Sequence, residues 1–448
     1  MIDTRELESR VRAFSADRTP SLAGGRALLA VSGGADSIAT AALLCESAVL
    51  DPARSAVAHF DHRLRAPAAA RLDRAAVEAL CDRYGLDLVA GSWEHPRTGE
   101  AAAREARYAF LGETADRHGL PAIVTGHTSG DQAETILMHT LRGAGLHGLR
   151  GMAAETAQRD GTVIARPMLC VSRAETRACC VSRALRFVDD TTNNDTSLLR
   201  NRVRLDLLPR IGAATPGAIA ALLRTAEQAR EAVAALEAVA AVAIVASDDR
   251  AVALSRAALR AMPPAVVPYA CRLAVEHLLG DAREFDRRHY AVLAAAADAR
   301  TGAAFQLPRR LVANVDADVV VLSTGAPLTA EIPPEFEAPL PFVGALGAWS
   351  LSVTPSPDAG EGVRLPTEAV IRRRRPGDLM RTRAGTRKLK EILIDLKVPR
   401  RERDALPVIA AGADVMWTPV FTSKVVGSFP GWTVAARRVA HPSRTGPC

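Results

Sequence analysis

Four apolar residues, Leu28-Leu29-Ala30-Val31, run into Ser32-Gly33-Gly34, and beyond them apolar positions recur at helical spacing from Ile38 to Leu50. A run that short, closed by glycines, reads as a buried strand, so the pattern predicts strand, glycine turn, helix. The alternation continues downstream. Strands are expected at Ser55–Phe60, Leu86–Ala90 and Ala122–Thr125, and helices at Leu72–Tyr84, Glu100–His118 and Asp131–Leu141. Strands separated by helices need crossover connections, which predicts an α/β fold with a doubly wound parallel sheet. Ligands of such sheets gather at the carboxyl ends of the strands.

The polar residues that carry chemistry fall at those ends. Ser32, Gly33, Gly34, Ala35, Asp36 and Ser37 follow the first strand and open a helix, a geometry that aims backbone N–H groups at an anion. No Gly-Lys-Ser/Thr follows, so this is not the P-loop of common NTPases. Asp61 follows the second strand and His127 the fourth. Asp131 and Glu134 lie at i, i+3 in a first helical turn, where they complement the helix dipole or together hold a metal or an ammonium group. Arg104 and Arg107 share a helix face, either solvated or clamping a phosphate.

The character changes after Pro209. Ala213–Val245 is alanine-rich and helical in pattern, as one helix or two, and Tyr269–Leu279 and Asp286–Ala297 follow as helices. Short strands are expected at Phe305–Pro308 and Val319–Leu322. This divides the chain into a catalytic domain over 1–212, a helical middle domain over 213–326, a proline-rich linker over 327–341, and a small α+β domain over 342–448.

Charge sharpens the last of these. The net charge is +7, yet residues 371–403 alone hold 13 Lys/Arg against 4 Asp/Glu, which is +9, leaving 7 − 9 = −2 elsewhere. One basic patch on an otherwise balanced chain points to a polyanion, and nucleic acid is the first choice. The composition, 48% hydrophobic and 24% charged, is that of a globular protein with ample core. The seven cysteines, at 45, 81, 170, 179, 180, 271 and 448, form no C-x-x-C pair, which argues against a zinc ribbon or iron–sulfur site. Met1–Phe14 is charged and helical in pattern, unlike a signal peptide, and Ala238–Ala246 is too short to span a bilayer. The expectation is a cytoplasmic protein.

Read together, SGGADS, the block Phe60-Asp61-His62-Arg63-Leu64-Arg65, Ala103-Arg104-Glu105-Ala106-Arg107-Tyr108, and Gly126-His127 with Asp131-Gln132-Ala133-Glu134-Thr135 closely resemble the tRNA(Ile)-lysidine synthetases. The resemblance continues through Arg166-Pro167-Met168-Leu169, Asp189–Asp195 and Leu199-Arg200-Asn201-Arg202-Val203-Arg204, then resumes at Arg374–Asp378 and Arg387–Leu393. It is weakest in the middle of the chain.

The resemblance implies an ATP-pyrophosphatase that joins L-lysine to C2 of the first anticodon cytidine of an isoleucine tRNA with a CAU anticodon. ATP adenylates the C2 oxygen, pyrophosphate leaves, and the lysine ε-amine then displaces AMP. It implies ATP and Mg²⁺ as cofactors, with Ser32–Ser37 and Asp61 on the nucleotide and Asp36 on the metal. Asp36, Asp131, Glu134, Arg200 and His127 become the expected catalytic residues. Arg104, Arg107, Arg202, Arg204, Arg372, Arg373, Arg374, Arg375, Lys388, Lys390 and Arg403 become the expected RNA contacts. A homodimer is compatible with this reading. One departure stands out: Thr128 and Gly130 occupy positions where relatives commonly carry His and Asp. It keeps two alternatives in view, another tRNA-modifying member such as a 2-thiocytidine-forming enzyme, and a catalytically weakened RNA-binding homologue.

Overall fold

The apolar run at 28–31 lies in the middle of a sheet, paired in parallel on both sides. The structure, a computed structural model, describes residues 4–64, 66–95, 99–158, 161–189, 199–324, 335–347, 349–356, 364–382, 385–396, 398, 400–403, 405–420 and 425–438. Arg65 and 190–195 of the expected motifs lie outside the described residues. Two units divide the fold, Met1–Ala235 and Leu236–Cys448.

In the first unit α1 (Thr4–Arg18), β1 (Leu28–Ala30), α2 (Ala35–Glu46), β2 (Ala56–Asp61), α3 (Pro67–Tyr84), β3 (Asp87–Ser92), α4 (Glu100–Arg117), β4 (Ala122–Thr125) and α5 (Ser129–Leu141) alternate as expected. The short α6 (Leu146–Leu149), β5 (Glu155–Ala157), β6 (Val163–Ala165) and α7 (Arg173–Ser182) follow, and then α8 (Leu199–Arg202) and α9 (Leu208–Ala214). Among the described residues six strands form one sheet, ordered β3-β2-β1-β4-β6-β5, parallel except where β5 pairs with β6. Side chains alternate across it with the strand period of two. Leu29 and Val31 pack with Leu7, Ile38, Val77 and Cys180 on one face, while Leu28 and Ile123 pack with Leu111 and Ala115 on the other. Both faces are covered, so the run reads as continuously apolar.

Strand order reverses at β1, whose neighbours β2 and β4 lead to opposite edges of the sheet. The loops after β1 and β4 therefore flank the crevice where doubly wound sheets bind ligands.

The expected helical stretch 213–245 breaks at Pro216-Gly217, where Gly217 takes φ +85°. Beyond the break α10 (Ala218–Ala241) begins on the first unit, through Leu222 and Leu223 against Ala133, Val203 and Leu208, and through Glu227 paired with Arg18 at 2.8 Å. These contacts go with a division of the two compact units inside α10, after 235.

The second unit joins helices to sheets. β7 (Ile244–Ser247) and β8 (Ala251–Ser255) precede α11 (Arg256–Ala261), α12 (Val267–Leu279) and α13 (Arg287–Ala296), and β9 (Ala304–Gln306), β10 (Val312–Val315) and β11 (Val319–Ser323) follow. The five strands make one sheet in the order β7-β8-β11-β10-β9, against which Ala270, Ala274 and Leu293 pack. Of the expected linker, 325–334 lie outside the described residues, and β12 (Glu337–Pro339) is an edge strand of the next sheet. β13 (Phe342–Leu346) and β14 (Trp349–Pro355) come next, then β15 (Val370–Arg373), β16 (Leu379–Thr382), β17 (Gly385–Lys388), α14 (Leu389–Asp395) and α15 (Arg400–Arg403). β18 (Pro407–Ala411), β19 (Asp414–Trp417), β20 (Val425–Phe429) and β21 (Trp432–Arg438) complete two sheets, β12-β15-β18-β19-β16-β17 and β13-β14-β21-β20. No helix among the described residues is long and apolar enough to cross a membrane.

Candidate active site

The turn after β1 needs its glycines. Gly33 has φ +98°, and a Cβ there would stand 2.9 Å from the Asp73 backbone, so a side chain is excluded twice over. Ser37 stitches the turn: its Oγ accepts from the Ser32 N–H at 3.1 Å and donates to the Gly34 carbonyl at 2.9 Å. The first turn of α2 then presents N–H groups that have no partner within the helix. The loop after β4 closes on this turn, because a Cβ on Gly126 would lie 3.0 Å from Ser37 Cα.

A cluster of charge fills the crevice beside that loop. Asp131 and Glu134 stand in the first two turns of α5, 8% and 1% exposed. The Thr128 N–H and hydroxyl both donate to Asp131 Oδ2 at 2.9 Å, so one carboxylate oxygen caps the helix. Its Oδ1 accepts from Arg173 Nη2 at 2.5 Å and Arg200 Nη2 at 3.0 Å. Glu134 is held in the same way, Oε1 by Arg173 Nη1 at 2.5 Å and Oε2 by Arg200 Nε at 2.9 Å. Arg173 reaches back to the loop, with Nε 3.5 Å from Asp36 Oδ2, while the Thr176 hydroxyl donates to Asp36 Oδ1. Three carboxylates and two guanidiniums sum to −3 + 2 = −1. Burial works against the charge on Asp131, but Arg173, the Thr128 N–H and Arg200 outweigh it and hold its pKa below the usual value. Asp36 has weaker support, and burial raises its pKa despite Thr176 and Arg173.

Comparison with known proteins places this turn within a matched domain. Residues 4–211 match the PP-loop domain and residues 369–424 the TilS substrate C-terminal domain. The tRNA(Ile)-lysidine synthase of Dehalococcoides mccartyi is 31% identical, over 92% of this chain and 94% of its own length. That of Geobacter sulfurreducens is 32% identical, over 91% of each chain. The Symbiobacterium thermophilum protein of that name is 33% identical, over 92% of this chain and 93% of its own. The chain belongs to the tRNA(Ile)-lysidine synthase family. It is thus an ATP-dependent ligase with a PP-loop domain, and the loop after β1 lies within that domain.

Within this lysidine synthase fold the other expected residues divide. His127 stands beside the acid cluster, its Nδ1 2.8 Å from the Thr125 hydroxyl, and burial pushes its pKa down to about 4, leaving a neutral imidazole. Asp61 is set apart at the end of β2, where its Oδ1 accepts from the Arg63 N–H at 2.8 Å. It lines a separate pocket of ≈ 600 Å³ with His59, Gly91, Ser92 and Phe110. Arg104 and Arg107 flank the Tyr108 ring, their guanidinium carbons 4.8 Å and 5.2 Å from its centroid. Arg104 and Arg202 are exposed, and Arg107 and Arg204 half-buried.

Arg173 and Thr176 are site residues that the motifs did not single out. Their local signal is the capping box of Ser172 and Glu175, which starts α7 and places 173 and 176 at i, i+3 on one face. That signal marks a helix, not a partner.

In the second unit the basic patch resolves into two kinds of arginine. Arg372, expected to contact RNA, does not face solvent: it is 1% exposed and paired with Asp378 at 2.8 Å, and it also donates to the Gly412 carbonyl at 2.7 Å. It is a core ion pair. Arg374, Lys388, Lys390 and Arg403 instead line a pocket of ≈ 680 Å³ with Arg300. Arg375 is exposed and pairs with Glu337, while Arg373 is half-buried.

Proposed function

We propose that this protein converts the first anticodon cytidine of an isoleucine tRNA with a CAU anticodon into lysidine, using ATP and L-lysine. The observation that carries this is the placement of a buried acid pair, held by two guanidiniums, beside the glycine turn at the switch point of the sheet. Adenylation turns the C2 oxygen, a poor leaving group, into part of AMP, and the departing pyrophosphate seats on the Ser32–Ser37 turn. Asp36, at the first turn of α2 and facing the same crevice, fits Mg²⁺, which commonly takes one or two carboxylates together with substrate phosphates. Bound there, Mg²⁺ supplies charge neutralisation for the pyrophosphate leaving group.

Asp131 and Glu134 hold the lysine ammonium, whose charge matches the residual −1 of the cluster. An amine with a pKa of about 10.4 must shed a proton before it attacks. Arg200 beside the same carboxylates opposes the rise in amine pKa that they cause, and the acid pair that holds the ammonium is the acceptor within its reach. Arg104, Arg107, Arg202 and Arg204 in the first unit, and Arg373, Arg374, Arg375, Lys388, Lys390 and Arg403 in the second, grip tRNA phosphates. The protein works in the cytoplasm.

The 2-thiocytidine alternative needs reactive sulfur. Burial pushes Cys170 and Cys179 up to about 11 and Cys180 up to about 12, away from thiolate chemistry. Labelled-lysine incorporation into this tRNA, with ATP–pyrophosphate exchange measured in parallel, tests the proposal. Incorporation supports it; ATP cleavage without lysine transfer overturns it.

A further inference from the structure

Resting on that reading, the cluster holds a contradiction that its own geometry resolves. Every oxygen of the acid pair already has a donor: Asp131 Oδ1 and both Glu134 oxygens take guanidinium N–H groups, and Asp131 Oδ2 takes the Thr128 N–H and hydroxyl. Glu134 is fully buried beneath them. Each Glu134 oxygen keeps one lone pair, but both lie buried beneath the guanidiniums, so one guanidinium must leave before an incoming ammonium can reach the pair.

The two are not equivalent. Among the described residues Arg200 pairs only with the acid pair, whereas Arg173 also faces Asp36, by its longest contact at 3.5 Å. Arg173 is therefore the group that senses both halves of the site. With nucleotide and its magnesium on the glycine turn, Arg173 loses Asp36 as an attractive neighbour, faces cationic charge there, and gains the triphosphate as a competing anion. Gly130 leaves that side of the guanidinium open, since even a Cβ there would stand 3.7 Å from Arg173 Nη1 and 3.5 Å from Thr128 Oγ1, no closer than ordinary contact.

We propose that Arg173 is a positioning residue that bolts the acid pair in the free enzyme and withdraws when nucleotide binds, so that lysine enters only after ATP. In the free state the bolt keeps Asp131 and Glu134 converged, occupied and closed to other amines. Once it is drawn, the same two carboxylates face the ammonium, with Arg200 still in place.

Equilibrium dialysis of labelled lysine against the full chain tests this, with and without magnesium and α,β-methylene ATP, which carries no scissile α–β bond. Wild type should bind lysine about tenfold or more tightly with the nucleotide, within the ordinary range of coupling between sites. By reciprocity lysine should tighten the analogue by the same factor. Arg173→Met should bind lysine equally with and without nucleotide, and Arg173→Lys should keep a reduced difference. Wild-type lysine affinity indifferent to nucleotide overturns the bolt and leaves the proposed function standing, and does so without relying on any variant folding. Lysine bound under neither condition, with tRNA present, overturns the function and the bolt with it.

Discussion

Arg200 Nε donates to Glu134 Oε2 at 2.9 Å across 66 positions of the chain. Removing one partner of a buried pair usually costs about 3–5 kcal/mol, because the other charge is stranded. This cluster is different, since it already has one carboxylate in excess. Glu134→Gln moves its charge from −1 to 0, so stability should change by only about 1 kcal/mol in urea unfolding. Pyrophosphate release should persist while the KM for lysine rises about tenfold or more. An unchanged lysine KM would remove Glu134 from the ammonium site.

Asp36→Asn keeps an oxygen for the Thr176 hydroxyl but loses the charge that faces the phosphate turn. The first half-reaction should suffer most. We expect kcat for pyrophosphate release to fall about 10²-fold or more, with tRNA affinity unaltered. A filter-binding assay alongside a pyrophosphate assay separates the two.

His127 is an ordinary histidine forced neutral by burial, with a folded pKa of about 4 against 6.5. The folded pKa is the lower one, so its contribution to stability is present above pH 6.5 and drains away as pH falls toward 4. Urea unfolding between pH 7.5 and 4.5 should lose up to about 3 kcal/mol to this group, and His127→Asn should flatten that part of the slope. Imidazole ¹⁵N shifts should show neutral His127 at pH 6. A protonated ring at that pH would contradict the assignment.

The basic patch separates into fold and function by experiment. Arg372→Met strands buried Asp378 and should destabilise the protein by about 3–5 kcal/mol in denaturant. Lys388→Gln with Lys390→Gln, both exposed, should leave stability within about 0.5 kcal/mol and weaken tRNA binding. The slope of log affinity against log salt should drop by about 1–2. Equal salt slopes for wild type and double variant would exclude these lysines from the RNA surface.

Gly130 sits in the first turn of α5, where an acidic side chain complements the helix dipole and glycine costs about 1 kcal/mol of helix propensity. Its Cβ position meets nothing closer than 3.5 Å, and its φ is not positive. Gly130→Asp should therefore raise stability by about 1 kcal/mol in the first unit's unfolding transition. A loss of stability would mean that Arg173 cannot make room.

Local rules made the glycine turn legible without any structure. A four-residue apolar run, two glycines and a helix start constrain backbone geometry within ten residues of one another, so the strand, the positive φ at Gly33 and the aimed N–H groups follow from neighbours in the chain. Alternating strand and helix signals likewise specified the parallel sheet, because crossover connections leave few other arrangements. The acid pair at 131 and 134 was visible as an i, i+3 couple, but not what neutralises it. Arg173 and Arg200 come to Glu134 from 39 and 66 residues away, and a guanidinium looks the same in sequence whether it meets a carboxylate or water. The same ambiguity placed Arg372 among the RNA contacts, although its pairing with Asp378 depends on how β15 and the turn before β16 pack. Sequence determined the phosphate turn, because its geometry is local. Only tertiary structure decided which arginines close the acid pair, which one supports the core and which face solvent, because charge pairing acts through space.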